Sequence, residues 1–214
     1  MIAHVIEKAV LSGVGDVYVA CSEQAVYDAT LAHGARAIMT RPEHVSGTDR
    51  IHEALSVVGS EHEYIVNLQG DLPTLDPALI RTVLQILQEN PQVDIATLAC
   101  PIHTQEERDN PNIVKPVISF SERTDRGRAL YFSRACVPYG HGAVYHHIGI
   151  YAYRKSALRT FVSLPQSGLE KRESLEQLRA LEHAMRIDVG IVDTMPLGVD
   201  TPADLEIARN LLKI

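Results

Sequence analysis

Apolar positions recur every three or four residues in some stretches of the chain and run on unbroken in others, and the two patterns alternate. Residues 4–12 carry a helical apolar face that stops at Gly13. "DVYVAC" (16–21) reads as a strand, "EQAVYDATLAHG" as a helix closed by Gly34, and "ARAIM" as a short strand. "SGTDRIHEALSVVG" predicts a helix over about 48–59. "YIVNL" (64–68) is continuously apolar, as a strand covered on both faces should be. "DPALIRTVLQILQEN" predicts a helix with Asp76 as N-cap and Pro77 at its first position. "DIATLAC" is the next strand. This alternation predicts an α/β fold with a doubly wound, mostly parallel, Rossmann-like sheet.

After Pro101 the rhythm changes. "IVKPVISF", "RALYFSR" and "HIGIYAYR" are strand-like with no long helix between them, which predicts a strand-rich antiparallel extension over about 113–154. One helix is expected from about 169 to 184, then a strand, "IDVGIVDT", and a closing helix, "TPADLEIARNLLKI". With no repeat or linker, the chain is expected to form a single domain over 1–214.

Composition narrows the function classes. A net charge of −7 speaks against a nucleic-acid-coating surface, although a local basic cluster can still hold an anionic small molecule. The longest apolar stretch is too short to cross a bilayer, so no membrane insertion is expected. The start, "MIAHVIEKAV", shows no export signal. Cys21, Cys100 and Cys136 are scattered and read as free thiols of a reducing cytoplasm.

Candidate chemistry sits at strand ends. In open parallel sheets ligands bind beyond the carboxyl ends of strands. "VNLQGDLPTLDP" puts Gln69, Gly70 and Asp71 there, and Gly70 allows a tight turn or close approach. Asp71 suits Mg²⁺, which binds through one or two carboxylates plus substrate phosphates, or an Asx-turn; the segment alone leaves both open. In "GVDTPADLE", Thr201, Pro202 and Asp204 already satisfy the helix start. That leaves Asp200 for a shared metal, with Asp200 as the cap being the alternative.

The blocks "HVSGTDR", "VNLQGDLP", "ATLACPI", "NPNIVK", "ALYFSR", "HHIGIYAYR", "LEQLRALE" and "GVDTPADLE" follow one another in order. Together they resemble the 3-deoxy-D-manno-octulosonate (Kdo) cytidylyltransferase, or CMP-Kdo synthetase, family over nearly the whole chain. The resemblance implies a nucleotide-diphospho-sugar transferase fold and transfer of CMP from CTP to Kdo, with release of pyrophosphate, for lipopolysaccharide assembly. It implies Mg²⁺ on Asp71 and Asp200, nucleotide contacts near Ser46, Gly47 and Arg50, a substrate contact from Gln69, and sugar contacts from Arg134, His147, Glu176 and Gln177. It also implies a homodimer with its contact in 113–154. The chemistry agrees: Kdo is a carboxylate that a guanidinium can hold bidentately, and sugar hydroxyls need both donors and acceptors.

Each residue also has a structural reading. Arg50 can pair with an acid on its helix, His147 can be a hydrogen-bonded strand residue, and Glu176 can pair at i,i+4 with Arg172. Lys115 can be a strand-edge charge. Family members open with a strand and a loop of the type P-A-R-x-x-S-x-R-L-P-G-K, whereas "MIAHV" resembles the segment after it. Arg50, with Lys115 as a further candidate, is the chief basic group remaining for the nucleotide, so weak CTP binding and low turnover are expected of this form. Leu72 stands where an acid commonly follows the aspartate, and His146 where Arg is common. A zinc site at His141, His146 and His147 is not expected, because no cysteine or acid is spaced with them. A cytidylyltransferase for another acidic sugar of the sialic-acid type and a non-catalytic truncated paralogue are the competing readings.

Overall fold

The computed structural model describes residues 1–59, 61–121, 123–199 and 201–212. In chain order the elements are α1 (Ile2–Ser12), β1 (Tyr18–Cys21), α2 (Gln24–Ala32), β2 (Arg36–Met39), α3 (Gly47–Val58), β3 (Tyr64–Asn67), α4 (Pro77–Glu89) and β4 (Ile95–Pro101). There follow α5 (Gln105–Asp109), β5 (Lys115–Ser119), β6 (Arg126–Ser133), β7 (Tyr145–Arg154), α6 (Lys155–Ser163), α7 (Gly168–Glu173), α8 (Gln177–Glu182), β8 (Ile187–Ile191) and α9 (Pro202–Leu212). The chain divides into two compact units. One comprises Met1–His62, Asn67–Arg81 and Pro196–Ile214; the other comprises Glu63–Val66 and Thr82–Met195.

The first unit is punctuated as its sequence predicts. Gly13 ends α1 and Gly59 ends α3, both left-handed, with φ of 67° and 61°. A residue with a Cβ would pay a steric penalty at either position. Ser46 caps α3 by accepting from the Asp49 N–H. Thr201 and Asp204 form a reciprocal capping arrangement at α9: Thr201 Oγ1 accepts from Asp204 N–H, and Asp204 Oδ2 accepts from Thr201 N–H and Oγ1–H. Strands β1 and β2 pair in parallel, Tyr18 opposite Arg36 through Cys21 opposite Met39.

The second unit is built on a six-stranded sheet in the order β3-β7-β4-β8-β6-β5. β4 pairs in parallel with β8, β7 runs antiparallel to β4, β6 antiparallel to β8, and β5 antiparallel to β6. Thus β4, β8 and β5 share one direction, and the fold is an α/β mixed sheet of mostly parallel strands flanked by helices. β7 inserts beside β4 in the middle of the sheet. β4 is central, and Ile95 to Cys100 are all buried, which explains its unbroken apolar run. Phe132, Ile148, Ile150, Leu158, Phe161, Leu178 and Ile187 fill the core. A Cβ at Gly127 would lie 2.5 Å from the Ser119 carbonyl oxygen, so the pairing of β6 with β5 needs glycine there. Truncating Phe132 to Ala would cost about 3–5 kcal/mol.

One expectation is corrected here, and one element is added. The single helix over 169–184 is two helices, α7 and α8, broken at Ser174, whose φ is 55°. Ser167 and Glu170 cap α7 reciprocally, and Leu175 and Leu178 turn inward after the break. The stretch after "YAYR", to which the sequence reading assigned no element, contains α6, which buries Ala157, Leu158 and Phe161. Those positions lie one helical turn apart at most, a face too short to stand out beside the preceding strand.

Candidate functional site

Asp71 follows β3 in the first unit, and its Oδ1 is shielded from solvent. The segment before α9 is strapped along the turn that carries it. Val199 N–H donates to the Asp71 carbonyl at 3.0 Å, and Leu197 N–H donates to Thr74 Oγ1 at 3.0 Å. Thr74 Oγ1 in turn donates to the Leu197 carbonyl at 3.5 Å. Leu72 is buried, and a Cβ at Gly198 would touch its Cδ2 at 3.9 Å. The sequence blocks "GDLPT" and "PLGV", far apart in the chain, are thereby joined. Asp200, the next residue and the second expected metal ligand, lies outside the described residues. Gly70 has neither a left-handed φ nor crowding (Ile2 Cδ1 would be 3.8 Å from an added Cβ), so the expected backbone demand for glycine is not seen there.

Ser46 and Gly47 start α3. The Ser46 hydroxyl both accepts from the Asp49 N–H at 3.1 Å and donates to Asp49 Oδ2 at 2.8 Å. A Cβ added at Gly47 would meet open space. Arg50 does not pair with an acid of its own helix. Its Nη1 donates to Thr40 Oγ1 at 2.7 Å and to the Arg41 carbonyl at 3.3 Å. Both acceptors are neutral. Gln69 is half-buried between β3 and Asp71.

The sugar-contact candidates belong to the second unit, where buried polar groups hold them. Arg134 ends β6. Its Nε donates to the Glu173 carbonyl at 2.8 Å, Nη1 to the Pro111 carbonyl at 3.2 Å, and Nη2 to the Ser174 carbonyl at 3.4 Å. The Glu173 carboxylate takes the Arg134 backbone N–H at 3.0 Å, Ser133 Oγ at 2.9 Å and Tyr131 OH at 3.3 Å. Burial works to raise the Glu173 carboxyl, but these donors outweigh it and hold it below the usual range. The break at Ser174 therefore aims two carbonyls at Arg134 and starts α8 afresh. Glu176 stands at that start with Oε1 shielded from solvent, and Gln177 is buried beside it. Because the break separates it from α7, Glu176 shares no continuous helix with Arg172, and the surface pair expected between them is not available.

His147 lies on β7 with its Nε2 2.9 Å from Thr97 Oγ1 and its ring between Phe132 and Tyr151, at centroid distances of 5.3 and 5.4 Å. Burial, and then neighbouring His146, push its pKa down to about 3, so it is uncharged at neutral pH. Burial, Tyr153 and Glu176 push the Tyr151 hydroxyl up, keeping it a neutral donor. Lys115 is not an edge charge. It is wholly buried and donates to the Asn110 and Arg134 carbonyls at 2.6 and 3.2 Å, with its pKa lowered by burial. It is a tie for the backbone on either side of Arg134. Glu173 and Thr97 escaped the sequence reading. A lone hydroxyl in an apolar strand, Thr97 in "IATLAC", was the one available signal.

The family profile described as Cytidylyltransferase matches residues 1–187. A 3-deoxy-manno-octulosonate cytidylyltransferase of Paramagnetospirillum magneticum is 59% identical over 215 residues, covering 100% of this chain and 87% of the relative. One of Rhodopseudomonas palustris is 56% identical over 214 residues, covering 99% of this chain and 86% of the relative. A solved CMP:2-keto-3-deoxy-manno-octonic acid synthetase complexed with CTP superposes with a TM-score of 0.90 at 40% identity, covering 99% of this chain and 87% of that one. A Leptospira borgpetersenii cytidylyltransferase shares the fold, with a TM-score of 0.60 at 12% identity. The chain belongs to the 3-deoxy-manno-octulosonate cytidylyltransferase family.

Proposed function

We propose that the protein transfers a cytidylyl group from CTP to Kdo, giving CMP-Kdo and pyrophosphate, for lipopolysaccharide biosynthesis. The observation that carries this reading is the strap of Leu197 and Val199 onto Thr74 and Asp71, in the two blocks that the family resemblance assigns to the metal. Among the described residues no cluster of three or more metal-ligating side chains occurs. Mg²⁺ needs only one or two carboxylates and takes its other ligands from phosphates and water. Asp71 and Asp200 would hold it, and when bound it neutralises charge developing on the phosphates.

The remaining roles follow from the chain's own groups. Arg50, bonded to neutral oxygens, supplies positive charge for the nucleotide, and Ser46, Gly47 and Gln69 belong to the same unit. Arg134 spends one N–H of each guanidinium nitrogen on a carbonyl and keeps one on each terminal nitrogen, enough for the sugar carboxylate. Glu176 accepts from sugar hydroxyls, and Gln177 both donates and accepts. No covalent protein intermediate is needed, because positioning and electrostatics carry phosphoryl-type transfer. Among the described residues no helix is long and apolar enough to cross a membrane. A cytoplasmic homodimer, joined through the strand-rich 113–154 region, is part of the proposal.

The test is an assay on the native protein, its mass measured first, with CTP, Mg²⁺ and either Kdo or a sialic acid. Pyrophosphate release that requires Kdo, with CMP-Kdo as product, is expected. Preference for the sialic acid, or nucleotide binding without transfer to any acidic sugar, overturns the reading.

A further inference from the structure

Thr97 is wholly buried in β4 where its register with β7 slips. Thr97 faces Tyr151 while Leu98 faces Ile148, so Gly149 and Ile150 stand outside the regular ladder. The slip turns two carbonyls onto the Thr97 hydroxyl, Ile150 at 2.8 Å and Ile148 at 3.2 Å, with His147 Nε2 at 2.9 Å on the same oxygen. A hydroxyl has one proton to give and two lone pairs to receive with. Carbonyl oxygens only accept, so that proton is committed to them, most closely to Ile150. The contact with His147 then requires the ring nitrogen to be the donor.

We infer that Thr97 is a positioning residue that fixes His147 as its Nε2–H tautomer and so presents Nδ1 as a hydrogen-bond acceptor for a hydroxyl of the sugar. The second half rests on the proposed role of His147 as a sugar contact; the tautomer does not. The uncharged state of the ring at neutral pH agrees, since an imidazolium would have no acceptor to offer. The rings of Phe132 and Tyr151 hold the imidazole plane, so the acceptor has a set direction. An acceptor fixed in this way discriminates: a substrate analogue with the matching hydroxyl removed or methylated cannot donate to it, and the buried lone pair is left unanswered.

The experiment reads the tautomer directly. Protein labelled with ¹⁵N-histidine is examined by long-range ¹H–¹⁵N correlation at pH 7, with the His147 signals assigned by their loss in His147→Gln. A protonated Nε2 and an unprotonated Nδ1 are expected in the wild type and in Thr97→Ser, which keeps the hydroxyl. Thr97→Val, which keeps the shape alone, should show a mixture of tautomers and a KM for Kdo raised roughly 10-fold, with the KM for CTP unchanged. An Nδ1–H tautomer, or a charged ring, in the wild type overturns the inference, and that measurement needs no variant beyond the assignment control. If the tautomer is as assigned but Thr97→Val leaves the Kdo KM unmoved, the positioning role is overturned. If His147→Gln also leaves it unmoved, the fault lies with the reading of His147 as a sugar contact.

Discussion

Ser46, Gly47 and Arg50 stand at the beginning of α3, beside an exposed Val45, and their bonds reach only to Asp49, Thr40 and Arg41. Arg134, His147, Glu176 and Gln177 are set instead among Glu173, Lys115, Thr97 and Tyr151, in a network of buried carbonyls, hydroxyls and rings. The first group can be altered without exposing a buried charge or orphaning a buried carbonyl, since the Arg41 carbonyl that Arg50 reaches is exposed. The second cannot. A site that must distinguish one acidic sugar from another gains from donors and acceptors fixed before binding. A site that grips a flexible, highly charged triphosphate can be assembled from helix caps and mobile cations.

The sharpest test of that contrast is the ion pair that anchors α7 to α8. Arg179 and Glu170 are both buried and meet at 2.5 Å. Arg179→Leu leaves a buried carboxylate without its guanidinium, and a loss of about 3–5 kcal/mol is expected in urea unfolding. If that loss is no larger than for a cap substitution at Ser46, the second unit is not the rigid one. Next comes Asp71→Asn, which keeps the shape of the turn and removes its charge. A kcat lower by about 10²–10³-fold with little change in melting temperature is expected, checked by steady-state kinetics beside thermal unfolding.

Acid supplies a third probe. His147 titrates near 6.5 in the unfolded chain and at about 3 when folded. Between those values the unfolded state binds more protons, so stability falls as pH falls, by up to about 1.4 kcal/mol per pH unit. Above 6.5 this group contributes no pH dependence. Comparing wild type with His147→Gln in urea at pH 7 and pH 5 isolates it, and an identical pH dependence in the two proteins would remove His147 from the buried set. The smallest effect belongs to Ser46→Ala, about 1 kcal/mol through the lost cap of α3. Its melting temperature should drop by a few degrees, and its KM for CTP should change more than its KM for Kdo.

The punctuation of the fold was legible because caps are local. Gly13, Gly59 and the Thr201–Asp204 exchange are each decided within one helical turn, and Asp76 at the start of α4 accepts from the Ala78 N–H as a cap should. What escaped depends on distant partners. Nothing near Ser174 marks a left-handed residue; the break exists because Leu175 and Leu178 must turn into the core. The insertion of β7 beside β4 is a matter of long-range pairing that a strand's own residues do not encode. Lys115 looked like an edge charge because its partners, the carbonyls of Asn110 and Arg134, are backbone atoms invisible to side-chain patterns. The site residues themselves were legible chiefly through the order of family blocks.

The strap that ties Leu197 to Thr74 closes a loop of 123 residues. Contacts of such separation are slow to form, because most of the chain's freedom must be surrendered before they give anything back. During synthesis Asp71 leaves the ribosome long before the segment that fastens it. A nascent chain can therefore complete much of its sheet and still lack the clasp until Leu197 and Val199 have been made.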